Sequence, residues 1–241
     1  MADRAPVFVA GATGYTGREV VRECVERGLD TVAHVRPDSA RLDHWRAHFE
    51  DLGARVDTTE WKLAAFKASF EALQPKTVYA LLGTTKARGK RGERSAVPDT
   101  YEAVDYGLTT LLLEAAVACG SRPRFVYLSA IGAEGRPLNA YMDVRKRVEA
   151  AIVGSELPHV LARPAFVSGG DREEARPTER AAAVVGDALL GIVGKLGGKG
   201  LATKYRSMTG AEVAKALVHI AGRDAETIVA ETEELLRALE A

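Results

Sequence analysis

The 241-residue sequence is poor in cysteine, in aromatic residues and in net charge, and each shortage excludes a class of protein. Two cysteines, Cys24 and Cys119, are too few for a disulfide framework, and apolar helical patterns around them predict buried free thiols. Aromatic residues make up 6% of the chain, which disfavours a base-stacking surface. Lysine and arginine total 33, as do aspartate and glutamate, so the overall charge indicates no nucleic-acid and no membrane partner.

The sequence also lacks an apolar run of membrane-spanning length and a clustered metal-ligand pattern. Its five histidines are scattered, so no metal site is expected. The first six residues lead directly into an apolar run, which leaves no room for a signal peptide. From these absences we expect a cytoplasmic protein without a membrane span.

Three glycines at every third position follow the first apolar run, residues 7–10. Gly11 permits a reversal with positive φ, Gly14 leaves room for a phosphate, and Gly17 lets helix and strand pack closely. Free N–H groups and the dipole of the following helix favour a pyrophosphate. The segment therefore predicts a dinucleotide-binding turn, which also includes Thr13, Tyr15 and Thr16.

Strand-like and helix-like patterns alternate along the following chain. Strands are predicted at 31–35, 55–57, 77–82, 124–129 and 159–161, and helices at 42–52, 63–73, 101–119 and 139–153. This alternation predicts an α/β fold, a doubly wound parallel sheet of the NAD(P)-binding Rossmann kind. Ligands are expected at the carboxyl ends of the strands, where Gly11, Arg36, Gly83, Ser129 and Arg163 fall.

The chain after Arg163 is less regular. We predict a single domain over 1–241, in which 165–241 contributes a smaller substrate-side lobe. That lobe comprises a charged loop at 171–180, a glycine-rich stretch at 191–200 and helices at 181–190, 211–221 and 232–239.

Arg36, at the end of the second strand, bears on the choice of cofactor. NAD-binding proteins usually carry an acid there for the adenosine ribose. A guanidinium instead pairs with a 2′-phosphate, so NADP(H) is favoured over NAD(H), with Arg18 as a second positive contact. A solvated loop residue is the alternative for Arg36. Asp57 either accepts from the adenine amino group or serves a plain turn.

The segment Leu82, Gly83, Thr84 and Thr85 fits a loop under the cofactor diphosphate or ribose, although a generic strand-end turn has the same composition. Arg163, held extended by Pro164, is expected beside the nicotinamide, where it binds either substrate or internal carbonyls. The basic loop at 86–94 is either a solvated loop or an attractor for an acidic substrate or partner.

Ser129-Ala130-Ile131-Gly132 after strand five and Tyr141 at the next helix, together with the glycine spacing, resemble the atypical short-chain dehydrogenases/reductases. The resemblance implies that the serine and tyrosine polarise and protonate a substrate carbonyl, while a lysine four residues after the tyrosine holds the cofactor ribose and lowers the tyrosine pKa. Arg145 occupies that position here and Lys146 follows it. Arg145 is therefore the third candidate catalytic residue, with positive charge but no proton relay.

Further segments resemble the Tat-interacting-protein branch of that family: 82–85, 104–105, 128–133, 141–149, 163–164 and 171–180. This resemblance implies an NADP(H)-bound monomer or homodimer and leaves the small-molecule substrate unknown. Two functions follow as hypotheses. One is an NADP-dependent oxidoreductase that reduces a small carbonyl compound with Ser129 and Tyr141. The other is a cofactor-sensing regulatory protein with a protein partner. A sugar-nucleotide epimerase is a third, weaker hypothesis because little chain follows Arg163.

Overall fold

A computed structural model of the protein describes residues 5–84, 98, 100–137, 139–168 and 203–241. Its nine described strands are β1 Val7–Ala10, β2 Thr31–His34, β3 Arg55–Asp57, β4 Thr77–Ala80, β5 Arg124–Leu128, β6 His159–Arg163, β7 Phe166–Ser168, β8 Ser207–Thr209 and β9 Thr227–Glu231. Seven of them form one sheet in the order β3-β2-β1-β4-β5-β6-β9, and all six pairings are parallel. The remaining two, β7 and β8, pair with each other in parallel.

Helices cover both faces of the large sheet. One face carries α1 Tyr15–Glu26, α2 Leu42–Leu52, α6 Gly210–Ala221 and α7 Thr232–Arg237. The other face carries α3 Leu63–Leu73, α4 Thr109–Ala118 and α5 Ala140–Gly154. A π-helical segment, Tyr101–Leu108, runs directly into α4. None of the described helices is both long enough and apolar enough to cross a membrane.

Strand β1 shows why its sequence is apolar without alternation. Val7 and Val9 pack into the layer that contains α1, and Phe8 and Ala10 pack into the opposite layer. Strands of a parallel sheet are buried on both faces, so every position is apolar. Cys24 and Cys119 lie in these two opposite layers as buried free thiols, as predicted. Burial raises the pKa of the Cys24 thiol to about 12.

The order of the strands reverses between β1 and β4, so a ligand-binding crevice is expected at the carboxyl ends of these two strands. The chain moves outward from β1 to β2 and β3, then returns to the other side of β1 at β4. Ligands of open α/β sheets bind where the strand order reverses in this way. The predicted doubly wound parallel sheet is thereby confirmed.

Strands β7, β8 and β9 were not predicted from the sequence. The first two have three residues each, and β9 is a half-exposed edge strand, so neither periodicity nor a long apolar run marks them. Strand β4 ends at Ala80, two residues before its predicted end. Strand β6 continues to Arg163, two residues beyond its predicted end. The predictions for residues 86–94, 171–180, 181–190 and 191–200 lie outside the described residues.

Candidate cofactor and active site

The glycine loop between β1 and α1 is shaped by two close backbone contacts. Gly11 has φ +80°, and a Cβ added there would lie 2.5 Å from the Leu81 carbonyl oxygen. A Cβ added at Gly17 would lie 2.0 Å from the Gly11 carbonyl oxygen. Neither position can hold a side chain without moving the backbone. These two glycines therefore set the approach of α1 and β4 to the carboxyl end of β1.

Gly14 has a different role in the same loop. Its φ of −76° is open to any residue, and its N–H donates to Gly11 O at 2.9 Å. It is the N-cap of α1, and no side chain caps that terminus. The N–H groups of the first turn, which no described side chain caps, and the helix dipole suit a phosphate, and the missing Cβ of Gly14 leaves room for its approach. The loop thus fits the diphosphate of a dinucleotide.

Tyr15 connects the glycine loop to the C-terminal part of the chain. Its hydroxyl donates to Ser168 O at 3.2 Å and accepts from the Gly210 N–H at 3.2 Å. A Cβ added at Gly210 would lie 2.7 Å from the tyrosine ring. The ring therefore packs directly on the backbone where α6 begins, a role that the sequence did not indicate. In the same loop, Thr16 is buried and Thr13 is half-buried.

Arginines gather beyond the end of β2, where the adenosine of a dinucleotide is expected. The Arg36 Nε atom lies 3.7 Å from Asp38 Oδ1. The guanidinium groups of Arg18 and Arg41 lie 5.8 and 4.9 Å from the ring centroid of Trp45. The Arg18 Nε atom is buried without a hydrogen-bond partner in the described part of the chain. This end of the site is therefore cationic.

Asp57, at the end of β3, serves the turn that follows it. Its two carboxylate oxygens accept from the backbone N–H and the hydroxyl of Thr59, both at 3.0 Å. Of the two roles open to it from the sequence, the described contacts are those of the turn.

A buried carboxylate, that of Asp105, holds the segment after β4 in place by hydrogen bonds. Thr84 donates its backbone N–H to Asp105 Oδ2 at 2.9 Å, and its hydroxyl donates to the same oxygen. A Cβ added at Gly83 would lie 3.6 Å from Arg145 Nη2. Leu82, Gly83 and Thr84 are half-buried at this strand end, and Thr85 lies outside the described residues.

Arg145 is buried, and its guanidinium is held on several sides. Its Nη1 donates to the Tyr127 hydroxyl at 2.7 Å and to Leu128 O at 2.8 Å, and its Nη2 donates to Asp105 Oδ1 at 2.9 Å. Burial opposes the charged form, but Tyr127, Tyr141 and Asp105 outweigh it and raise the pKa of Arg145. Burial also raises the pKa of Tyr127 to about 12, so its hydroxyl stays protonated.

The two other catalytic candidates lie near this guanidinium. The guanidinium carbon of Arg145 lies 4.9 Å from the centroid of the Tyr141 ring. The Tyr101 ring makes an edge-on contact with the same ring, with the two centroids 5.5 Å apart. Ser129 directly follows the Leu128 carbonyl that Arg145 binds, and it is 4% exposed. Its Oγ has no hydrogen-bond partner among the described residues. Arg145 therefore brings the strand end that carries Ser129 and the helix that carries Tyr141 together.

Arg163, expected beside the nicotinamide, is engaged by carboxylates. Its Nε and Nη2 donate to the two oxygens of buried Glu149 at 3.0 and 2.6 Å. Its Nη1 lies 2.9 Å from Glu134 Oε2. These contacts, with Glu149 foremost, raise the pKa of Arg163. The described contacts of Arg163 are internal, to carboxylates and not to carbonyls.

Sequence reasoning missed Asp105, Tyr127 and Glu149 as partners of the two site arginines. Asp105 is one of three acidic residues in the predicted helix 101–119, and only the structure shows that it is buried. Such a buried charge requires a cationic partner. Nothing in the sequence said which of many arginines it would be.

Comparison with known proteins agrees with this geometry. Residues 11–189 match the family model described as NAD(P)H-binding. The chain belongs to that family. A relative is the protein FMP52-1, mitochondrial, of Scheffersomyces stipitis, 26% identical over 89% of this chain and 87% of its own. Another is the divinyl chlorophyllide a 8-vinyl-reductase, chloroplastic, of Oryza sativa subsp. indica, 30% identical over 76% of this chain and 46% of its own.

Solved structures share the fold of this family member. A putative epimerase from Burkholderia cenocepacia superposes with a TM-score of 0.63 at 19% identity, over 96% of this chain and 78% of its own. The Bordetella bronchiseptica enzyme WbmH in complex with NAD+ superposes with a TM-score of 0.62 at 17% identity, over 93% and 74%. The resemblance to NAD(P)-binding atypical short-chain dehydrogenases/reductases is confirmed.

The prediction of a cytoplasmic location is contradicted by these relatives. Five fungal relatives are named mitochondrial proteins, and the plant relatives are named chloroplastic. The prediction was wrong because it rested on a neutral composition and on the first few residues. A balanced surface charge suits a soluble domain in any aqueous compartment, so it does not distinguish among them.

Proposed function

We propose that this protein is an NADP(H)-dependent oxidoreductase that reduces a small carbonyl compound. The observation that carries the proposal is the buried Oγ of Ser129, which has no partner among the described residues at the carboxyl end of β5. A buried hydroxyl without a partner is costly, and a ligand oxygen would satisfy it. A reductase is also named among the relatives, but the group in its name is a vinyl group and not a carbonyl, so it supports only the broader class of reduction.

The described side chains supply what a carbonyl reduction requires from the protein. The hydride to the carbonyl carbon would come from NADPH when it is bound. The Ser129 hydroxyl donates a hydrogen bond to the carbonyl oxygen, and the Tyr141 phenol transfers its proton to that oxygen as the new C–H bond forms. Arg145, fixed and charged against the Tyr141 ring, stabilises the phenolate that remains. Solvent then returns the proton to Tyr141.

Substitution of the two hydroxyl side chains tests this mechanism. Tyr141→Phe and Ser129→Ala are expected to lower kcat for a responsive aldehyde, ketone or quinone by about 100-fold or more, with the NADPH Kd changed less than about threefold. Tyr106→Phe, on the neighbouring π-helical segment, is the matched control and is expected to keep full activity. Undiminished turnover in Tyr141→Phe would refute the role of Tyr141.

The preference for NADP(H) rests on the cationic end of the site. Arg36 lies two residues after β2, where a 2′-phosphate is expected, and the Arg18 Nε is buried without a partner among the described residues. Calorimetric titration is expected to show tighter binding of NADPH than of NADH. Arg36→Ala should weaken NADPH binding by about tenfold and leave NADH binding unchanged. Arg46→Ala, an exposed arginine on α2, is the control. Equal losses for both cofactors in Arg36→Ala would contradict a phosphate contact.

The contacts of Arg145 favour a second candidate, a cofactor-sensing regulatory protein. Three of its N–H donors are already bound to Tyr127, Leu128 and Asp105, where the family places a lysine for the ribose. A cofactor shifts a conformational equilibrium only through differential affinity for two states. Hydrogen exchange measured with NADPH and with NADP⁺ is therefore expected to differ near the site. Identical protection with both forms would exclude redox sensing.

A further inference from the structure

We propose that Asp105 is a positioning residue, which fixes the segment after β4 relative to the helix that carries Tyr141. This inference rests on the proposed function, because it concerns the placement of the proton donor relative to the bound cofactor. Asp105 is not among the residues expected to touch cofactor or substrate. It would act through Thr84 on one side and Arg145 on the other.

The two carboxylate oxygens of Asp105 serve two different parts of the site. Oδ2 accepts both the backbone N–H and the hydroxyl of Thr84. Oδ1 accepts from Arg145 Nη2 at 2.9 Å. The Asp105 side chain is 1% exposed, so water does not compete for either oxygen. One buried group thus joins the strand-end loop to α5.

Arg145 carries this constraint on to Tyr141. Its bonds to the Tyr127 hydroxyl and to Leu128 O fix the plane of the guanidinium, and that plane lies against the Tyr141 ring. Gly83 is close enough to the guanidinium that an added Cβ would contact Nη2 at 3.6 Å. The guanidinium therefore lies close to both the loop and the Tyr141 ring.

The local backbone also distinguishes Asp105. It lies within the π-helical segment Tyr101–Leu108, and π-helical turns are rare and frequent at functional sites. A buried ion pair is weak evidence of stabilisation, because desolvation offsets most of its attraction. Hydride and proton transfer, in contrast, are sensitive to misplacement by about 1 Å, which can cost about 100-fold in rate. A rigid charged link is suited to that requirement.

The test is Asp105→Asn in the full-length chain. The amide keeps the volume of the carboxylate but presents an NH₂ group to one of two donors, Thr84 N–H or Arg145. We expect kcat to fall about 10- to 100-fold while the NADPH Kd changes less than about threefold. The deuterium isotope effect with NADPH labelled at the transferred position should rise. Two readouts do not need turnover: hydrogen exchange at the Thr84 amide should accelerate, and the emission of bound NADPH should shift.

The chain offers a matched control on the same two elements. Glu102 in the π-helical segment and Arg147 in α5 form a bidentate but exposed pair at 2.8 and 2.9 Å. Glu102→Gln should leave kcat, the isotope effect and the Thr84 amide unchanged. If Asp105→Asn does not fold, Thr84→Val removes one bond to Asp105 and leaves the ion pair. It should give a smaller fall in kcat and a smaller rise in the isotope effect than Asp105→Asn would.

The outcomes separate this inference from the proposed function. The positioning role would be overturned if Asp105→Asn had the same kcat, isotope effect and NADPH emission as Glu102→Gln. Turnover that survives in Tyr141→Phe would overturn the proposed reaction instead. In that case a shifted NADPH emission in Asp105→Asn would still support a role in placing the cofactor.

Discussion

The glycine loop and the strand ends from β4 to β6 both border the candidate site, but they are built in opposite ways. In the glycine loop the site consists mainly of backbone, because Gly11 and Gly17 leave no room for a side chain at their positions. At β4 to β6 it consists of side chains, and the cationic ones are bound to internal carboxylates. A site made of backbone is encoded within a dozen adjacent residues, whereas a site made of side chains depends on partners that lie far apart in sequence.

The difference extends to the arginines of the two regions. Arg145 and Arg163 each bind a buried carboxylate, Asp105 and Glu149. Arg18 and Arg41, near the adenosine end, lie against the ring of Trp45. A buried guanidinium needs a carboxylate, whereas one near the surface can stack on an aromatic ring and remain open to an anionic ligand. The two regions are therefore expected to respond differently to mutation.

The largest effect is expected from loss of the buried ion pair. Arg145→Met should lower the free energy of unfolding by about 3–5 kcal/mol, because Asp105 would remain buried without a compensating charge. Urea denaturation measures it. Arg147→Met, two positions along the same helix, removes an exposed pair and should leave stability close to that of the wild type. Equal effects of the two substitutions would contradict the distinction between buried and exposed pairs.

Two substitutions in the glycine loop should distinguish an effect on stability from an effect on NADPH binding. Gly17→Ala forces a Cβ against the Gly11 carbonyl and is expected to cost roughly 3 kcal/mol. Gly14→Ala meets only Gly11 O at 3.1 Å and should cost about 1 kcal/mol or less, yet weaken NADPH binding about tenfold or more. Denaturation and calorimetry measure the two quantities. NADPH affinity unchanged in Gly14→Ala would argue against a phosphate at that position.

The hydroxyl of Tyr15 provides a smaller test of the link between the glycine loop and the C-terminal part. Tyr15→Phe removes the bonds to Ser168 O and the Gly210 N–H and keeps the ring. The expected loss of unfolding free energy is about 1 kcal/mol. Tyr205→Phe, at a half-buried tyrosine before β8, is the control. A thermal melt of both variants is sufficient, and equal melting temperatures would show that the Tyr15 hydroxyl contributes no stability.

The smallest effect concerns pH. Burial lowers the pKa of His34, at the end of β2, although its Nε2 lies 2.9 Å from Thr59 O. Below its unfolded pKa of about 6.5 the unfolded chain binds a proton that the folded chain resists, so stability is full above that pH and falls as pH decreases. The His34 contribution should be under about 1 kcal/mol between pH 7.5 and 6. His34→Gln should reduce the slope, and an unchanged slope would assign it to other groups.

Local patterns predicted much of the fold. The bounds of α2, β3 and α3 agree with the sequence prediction. The signals that define these elements, such as turn residues and the spacing of apolar residues, lie within or next to the elements themselves. The long helix beginning at residue 101 was also predicted, but the π-helical character of its first part was not. Periodicity cannot distinguish these helical forms over eight residues. The short strands β7 and β8 exist because they pair with each other.

Within the site, the sequence by itself determined the dinucleotide turn, the parallel sheet and the position of Ser129 and Tyr141 at strand and helix ends. These depend on backbone sterics and on the spacing of apolar residues, which act over short stretches of chain. Only the tertiary structure decided that Arg145 binds Asp105, Arg163 binds Glu149 and Tyr15 binds Gly210. A buried polar group requires a hydrogen-bond partner. That partner is the group that the fold brings within about 3 Å, and the spacing of residues in the sequence does not give this distance.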